Sequence, residues 1–261
     1  GAGHRGEARH GHRIRRDRER ALLSREDLHA LRRREERPVA GGRRSQGTLM
    51  NPVARVVSTV ALAATGFFTL YAFQTLPADA RLAIHWDING IADGFAGREA
   101  LFIVPIAFAV TAALIMFAIR LDPKRANIVR SAEAIGYVAM GLVLLFAVTQ
   151  SAIINSGFGE AARLDHAAPI VLGAFVALLG FAMPQIKQNY TIGVRLPWTL
   201  ESEKAWNAAH AFVGRAWIAV GGTTAALAAI PETVVDLGGT PIIVLLGGLA
   251  GSKVATIVIA Y

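Results

Sequence analysis

From residue 53 onward the chain carries about six apolar runs, each long enough to cross a bilayer, and nothing else in the sequence constrains the fold as strongly. A spanning helix needs about 20 mainly apolar residues. Inside hydrocarbon a backbone N–H or C=O finds no partner outside its own helix or a closed barrel. The runs cover 53–75, 100–119, 132–154, 167–185, 206–230 and 240–260. The expected class is therefore an all-α, polytopic membrane protein, a bundle of about six transmembrane helices with the lipid bilayer as first partner. Composition agrees, with 53% hydrophobic and 18% charged residues among 261. Pro169 and Pro241 fall in first turns, Pro184 closes the fourth run, and Pro105 lies deeper, where it predicts a kink. With no cysteine, a disulfide framework, a thiolate zinc site and a cysteine nucleophile are all excluded. No cleavable signal-peptide pattern stands in front of the first run.

Charge is placed unevenly. Residues 1–49 hold fourteen of the 27 basic and seven of the 19 acidic residues, so they carry seven of the eight net positive charges. This segment lacks lysine and is almost all Arg, Gly, Glu, His and Ala. It reads first as a non-native extension ahead of Met50, next as a disordered basic anchor, and last as an arm for anionic lipid or nucleic acid. Direct nucleic-acid binding is not expected of the protein body. Arg120, Lys124, Arg125 and Arg130 crowd the second–third connection, and Lys187, Arg195 and Lys204 the fourth–fifth. The other connections hold only Arg81 and Arg98 in the first and Arg163 in the third. Because short cytoplasmic loops carry the excess of Lys and Arg, both termini are expected in the cytoplasm and loops 76–99, 155–166 and 231–239 outside. Arg215 and Lys253, inside the last two runs, are expected to snorkel toward the headgroups. Gly247 and Gly251 predict a close helix contact.

Two connections are long. The outward one, 76–99, contains a short extended stretch at 82–86 and turn formers at 87–90 and 93–94. Its candidate recognition residues are His85, Trp86, Asp87, Asn89, Gly90, Asp93 and Gly94, with Trp86 suited to the membrane interface. The spacing of His85, Asp87 and Asp93 matches no dependable zinc pattern, and no metal site or cofactor is expected. A structural turn with an aromatic anchor ranks ahead of ligand or peptide recognition. In the inward connection, 186–206, Ser202 is positioned to cap the fifth helix and Glu203 to complement its dipole. Trp206, His210, Val213 and Trp217 then share one helical face, which makes His210 a core or interfacial residue before a catalytic one.

The run Gln185-Ile186-Lys187-Gln188-Asn189-Tyr190-Thr191-Ile192-Gly193-Val194-Arg195-Leu196-Pro197-Trp198-Thr199-Leu200, followed by Trp206 and His210, resembles the signature of SdpI-type membrane proteins. The His85–Gly94 loop resembles the amino-terminal domain that often accompanies it. The resemblance covers 50–261, divided into a first pair of helices (50–131) and an SdpI-like four-helix region (132–261). Leu196 stands where the family usually has threonine, Gln188 where it has proline, and Phe181-Ala182 where it has glycine-asparagine. The resemblance implies a bacterial, multi-pass cytoplasmic-membrane protein that gives immunity to a secreted antibacterial toxin peptide. It also implies a cytoplasmic transcriptional repressor as an inner partner. The inner contact set would be Asn189, Tyr190, Gly193, Arg195, Pro197, Trp198, Thr199, Trp206 and His210. Among them Arg195 is the preferred polar contact and Trp198 the aromatic anchor.

Two rivals come from other classes. One long outward loop after the first helix and one long inward loop after the fourth form a three-plus-three arrangement, as in inverted-repeat transporters. Against ion coupling, acidic residues are missing from mid-membrane positions, Glu133 lying at the edge of its run. A membrane hydrolase ranks last, because there is no nucleophile elbow, zincin helix or phosphate-cradling glycine loop. Gly221-Gly222 and Gly247-Gly248 read as packing. The protein is expected not to be an enzyme, and a chain continuing past Tyr261 stays open.

Overall fold

The computed structural model describes residues 52–159, 164–231 and 233–260, with side chains up to 257. The basic segment 1–49, Met50, Arg163 and Tyr261 lie outside the described residues. Among the described residues six helices are long and apolar enough to cross a membrane: α1 (Pro52–Thr75), α2 (Ile103–Leu121, entered through a 3₁₀ turn at Arg98–Phe102), α4 (Ala132–Gly157), α5 (Ala167–Ala182, closed by a 3₁₀ turn at Met183–Gln185), α7 (Glu203–Ala228) and α8 (Thr240–Ala260). At 1.5 Å per residue the 24 residues of α1 reach about 36 Å and the 19 residues of Ala167–Gln185 about 28 Å. Both lengths match a hydrocarbon core of about 30 Å. Two short helices lie in connections, α3 (Arg125–Arg130) and α6 (Pro197–Glu201).

The 3₁₀ entry corrects the reading of Pro105. The α-helix begins at Ile103, so Pro105 sits in its first turn, where a missing N–H breaks no helical hydrogen bond. The outward loop also adds a small β element to an otherwise helical fold. The extended stretch β1 (Leu82–Trp86) pairs antiparallel with β2 (Ala92–Ala96), in the register Leu82 to Ala96 and Trp86 to Ala92, with irregularities around His85. Leu82 is buried beside Gly157 at the end of α4, and the Ala83 N–H donates to Ser156 Oγ at 2.9 Å.

α5 and α7 form the tightest helix pair, and glycine is the reason. A Cβ on Gly173 would lie 2.6 Å from the Gly221 carbonyl, and one on Gly180 2.6 Å from that of Gly214. Without side chains the backbones meet directly, and van der Waals packing holds the helices where lipid offers no hydrophobic drive between them. The glycine pair marked in α8 does not act this way. Nothing lies within 4 Å of a Cβ on Gly247 or Gly251, whereas Gly248 packs on Val220 of α7. α1 packs on α4, joined by the buried amide of Gln150, whose Nε2 donates to Thr69 Oγ1 (3.1 Å) and to the Leu101 carbonyl (2.8 Å). α2 is peripheral. It stacks Phe108 on Phe146 of α4 at 4.6 Å and leaves Ile106, Leu114 and Phe117 exposed. In water such a surface would be an aggregation patch; in a bilayer it is the lipid face. The halves pair differently, first span with third and fourth with fifth, so helix packing adds nothing to the inverted-repeat reading. Arg215 and Lys253 are both exposed.

Two apolar clusters close opposite ends of the bundle. Ala72, Leu76, Leu82, Leu101 and Ile153 pack beneath the hairpin. Met183, Ile186, Trp206 and Val213 pack beneath the 186–206 connection.

Candidate functional site

At the end of α5 the chain turns into the 186–206 connection, and three internal braces give that loop one shape. The first is Asn189, with no solvent exposure. Its Oδ1 accepts from the N–H groups of Thr191 (2.8 Å) and Ile192 (2.6 Å), and its Nδ2 donates to the carbonyls of Lys187 (2.8 Å) and Ile192 (3.0 Å). Both faces of the amide are thus satisfied. The second is Thr199, whose hydroxyl accepts from the Leu196 N–H at 2.9 Å and donates to the Val194 carbonyl at 2.8 Å. Pro197 starts α6 at a position where a missing N–H costs little.

The third brace is the stack of Trp206 on His210, ring centroids 4.0 Å apart. Ser202 caps α7 through the Ala205 N–H at 3.2 Å, which sets the helix start and turns both rings under the loop. Trp206 Nε1 donates to the Ile186 carbonyl at 2.8 Å. His210 Nδ1 donates to the Trp206 carbonyl at 2.8 Å, and Nε2 accepts the Val194 N–H at 3.1 Å, so the ring is the neutral Nδ1–H tautomer. Gly193 crosses directly above, at φ 122, and a Cβ there would stand 2.4 Å from His210 Nε2. Only glycine suits both the left-handed backbone and the approach.

The structure therefore divides the nine residues marked in the sequence. Asn189, Gly193, Thr199, Trp206 and His210 are framework. Tyr190, Arg195 and Pro197 face outward from the loop, with Trp198 half-buried between the groups. Arg195 spends one N–H on the Tyr190 carbonyl at 2.9 Å and is otherwise on the surface.

A second set, which sequence reading missed, docks the loop on the α2–α4 connection. Buried Asp122 accepts from Lys124 N–H (2.7 Å), Tyr190 N–H (2.9 Å) and Thr191 Oγ1 (2.7 Å). Lys124 Nζ donates to Gln188 Oε1 and lies 5.7 Å from the Tyr190 ring centre. Asn127 Nδ2 donates to the Gln188 carbonyl (2.7 Å), and Lys187 N–H to Ser131 Oγ (2.8 Å). Gln188 Nε2 also bonds the carbonyls of Thr199 and Leu200, at 2.8 and 2.9 Å. A proline at this position would keep only its carbonyl for Asn127 and lose the three bonds of the Gln188 side chain. An acid followed by proline in a short basic connection was the available signal for Asp122.

At the other end, the hairpin separates its candidates. His85 and Asp93 form an exposed cross-strand pair, Nδ1 to Oδ1 2.6 Å, and Gly94 packs against the His85 Cβ. Asp87 instead organises the tip, its Oδ1 accepting from the N–H groups of Asn89 (2.9 Å) and Ile91 (2.8 Å). The Ile91 N–H is the chief reason its carboxyl is held below the usual aspartate range. Gly90, at φ 72, abuts the backbone of Asp165, and its carbonyl accepts the Leu164 N–H at 2.8 Å. Asn89 rests beside Gly239. Trp86 packs partly on the cluster under the hairpin. Among the described residues no three His, Asp or Glu side chains converge as a metal site would require.

The fold and these two built ends define a six-span helical membrane protein. Residues 185–260 match the SdpI/YfhL protein family, and residues 60–109 match a domain of unknown function, DUF1648. The chain is 23% identical over 168 residues to the immunity protein SdpI of Bacillus subtilis (strain 168), an alignment covering 64% of this chain and 77% of that protein. No solved structure matches.

Proposed function

We propose that this chain is an SdpI-type immunity protein of the bacterial cytoplasmic membrane, protecting the cell against a secreted antibacterial peptide. The observation that carries this is the braced 186–206 loop, which falls wholly inside the matched family segment. The similarity to a protein named as an immunity protein supports the same reading. In this proposal the hairpin end faces outward and meets the peptide through the tip and strands at His85–Gly94. The loop end faces the cytoplasm, where Tyr190, Arg195, Pro197 and Trp198 offer a surface to a repressor, which the protein would hold at the membrane. Support for the orientation is the concentration of Arg120, Lys124, Arg125, Arg130, Lys187 and Lys204 at the loop end. The chemistry is recognition rather than bond-breaking.

The test of protection is survival of toxin-sensitive cells under peptide challenge, with and without the full chain. Equal survival would sink immunity. Arg195→Ala is expected to keep protection while weakening repressor recruitment. Orientation is read separately, because a chain without cysteine accepts single labels. Thr233→Cys is expected to react with an impermeant maleimide in intact cells and Arg125→Cys only after lysis; the reverse pattern refutes the orientation.

A further inference from the structure

Among the six described spans α2 is the least covered, and its two ends join the two built ends of the molecule. Only Ile119 of its residues is buried, and from Ala109 to Ala118 all but Ala112 are exposed. At mid-span it stacks Phe108 on Phe146, without the backbone-to-backbone contact that locks α5 to α7. In lipid no hydrophobic drive presses such a helix onto its neighbours, and a tilt trades one lipid contact for another.

At the outer end the hairpin runs into α2 almost without a linker. β2 ends at Ala96, and Gly97 alone precedes the 3₁₀ turn Arg98–Phe102 that continues into Ile103. This corner is held to two other helices. Arg98 donates to the Leu76 carbonyl beyond α1 at 3.1 Å and covers the Phe73 ring at 4.6 Å, while the Leu101 carbonyl accepts from Gln150 Nε2 of α4 at 2.8 Å. The corner is therefore a pivot with an arm on each side. Five residues of β2 give about 17 Å outside, and nineteen residues of α2 about 28 Å inside. A shift of the hairpin reaches the inner end enlarged. There Asp122, which ends α2, holds the Tyr190 N–H at 2.9 Å and Thr191 Oγ1 at 2.7 Å. A movement of about 1 Å takes both beyond hydrogen-bond reach.

We propose that α2 is a transmembrane lever: it turns about the Arg98–Phe102 corner, carries a displacement of the hairpin to Asp122, and so releases the 186–206 loop. This rests on the reading that the hairpin faces outward and the loop is presented inward, and adds how an event at one is felt at the other.

The test uses the full chain in lipid nanodiscs and needs neither toxin nor repressor. Gly90→Ala prises the hairpin tip from its seat, since a Cβ there would stand 2.2 Å from the Asp165 backbone nitrogen. Asn89→Trp, crowding the Gly239 backbone from the same tip, is a second displacement without strain at positive φ. Amide exchange of Tyr190 and Thr191 is expected to rise about tenfold or more in each, with α5 and α7 still protected. In an Asp122→Ala background, where the loop is already undocked, the same substitutions are expected to add no more than about twofold. The route is read in Phe108→Cys/Phe146→Cys, where a short bis-thiosulfonate ties α2 to α4 in a chain with no other cysteine. The effect of Gly90→Ala is expected with the bridge reduced and lost with it formed. Faster exchange confined to hairpin amides in both tip variants, a full effect on top of Asp122→Ala, or an effect that survives the bridge overturns the proposal. Transmission without protection of cells defeats immunity alone, and protection without transmission defeats the lever alone.

Discussion

Replacing Asp122 by alanine removes three hydrogen bonds at once, those from Lys124 N–H, Tyr190 N–H and Thr191 Oγ1. Hydrogen bonds to a charged group are worth about 1.5–3 kcal/mol each. Thr191 is partly exposed and Tyr190 exposed, so water recovers a share, and a net local cost of about 2–4 kcal/mol is expected. Because bonds from Lys124 and Asn127 to Gln188 remain, the expected result is an opened loop on an intact bundle. Hydrogen exchange of Tyr190 and Thr191 amides reads this directly. A 2 kcal/mol loss raises the open population about 30-fold, so these amides should exchange at least that much faster while α5 and α7 keep their protection. Asp122→Asn sharpens the test, since an amide presents an N–H to at least one donor that the carboxylate satisfied, and an intermediate acceleration is expected. Unchanged exchange in both variants would refute the view that Asp122 docks the loop.

Gly193→Ala places a methyl 2.4 Å from His210 Nε2 on a left-handed backbone, and a loss of about 2 kcal/mol or more is expected, seen as a shifted thermal midpoint and altered Trp206 fluorescence. Gly221→Val should wedge α5 from α7 and cost more than about 3 kcal/mol in a detergent unfolding titration. Gly247→Ala, with open space around it, should stay within about 0.5 kcal/mol of the parent. For pH, the folded Asp87 carboxyl is held below its ordinary value, so its contribution to the hairpin tip is complete above the unfolded pKa and lost as pH falls through the lowered one. Amide protection of Asn89 and Ile91 should therefore collapse in strong acid, and Asp87→Asn should remove that acid step. Retention of the step in Asp87→Asn would contradict the assignment.

The six spans were legible because the hydrocarbon core imposes a length and a polarity that any sequence must show. All six runs read from residues alone begin and end within three residues of the helices in the structure. The Ser202 cap, the Trp206–His210 face and the turn at Asp87–Gly90 were legible for a related reason, being local and set by spacing along one chain. The strand at Ala92–Ala96 was not. Four of its five residues are poor strand formers, and only pairing with Leu82–Trp86 makes a strand of them. Helix contacts were equally hidden, since many glycines stand in spans and only the crossing of α5 and α7 decides which ones touch. The same holds for Asp122 and for the bond between Gly90 and Leu164. Each depends on segments tens of residues apart meeting at one end of the bundle. Local propensity and burial period are written in the sequence. The division of the 186–206 loop into framework and presented surface exists only once the helices have packed.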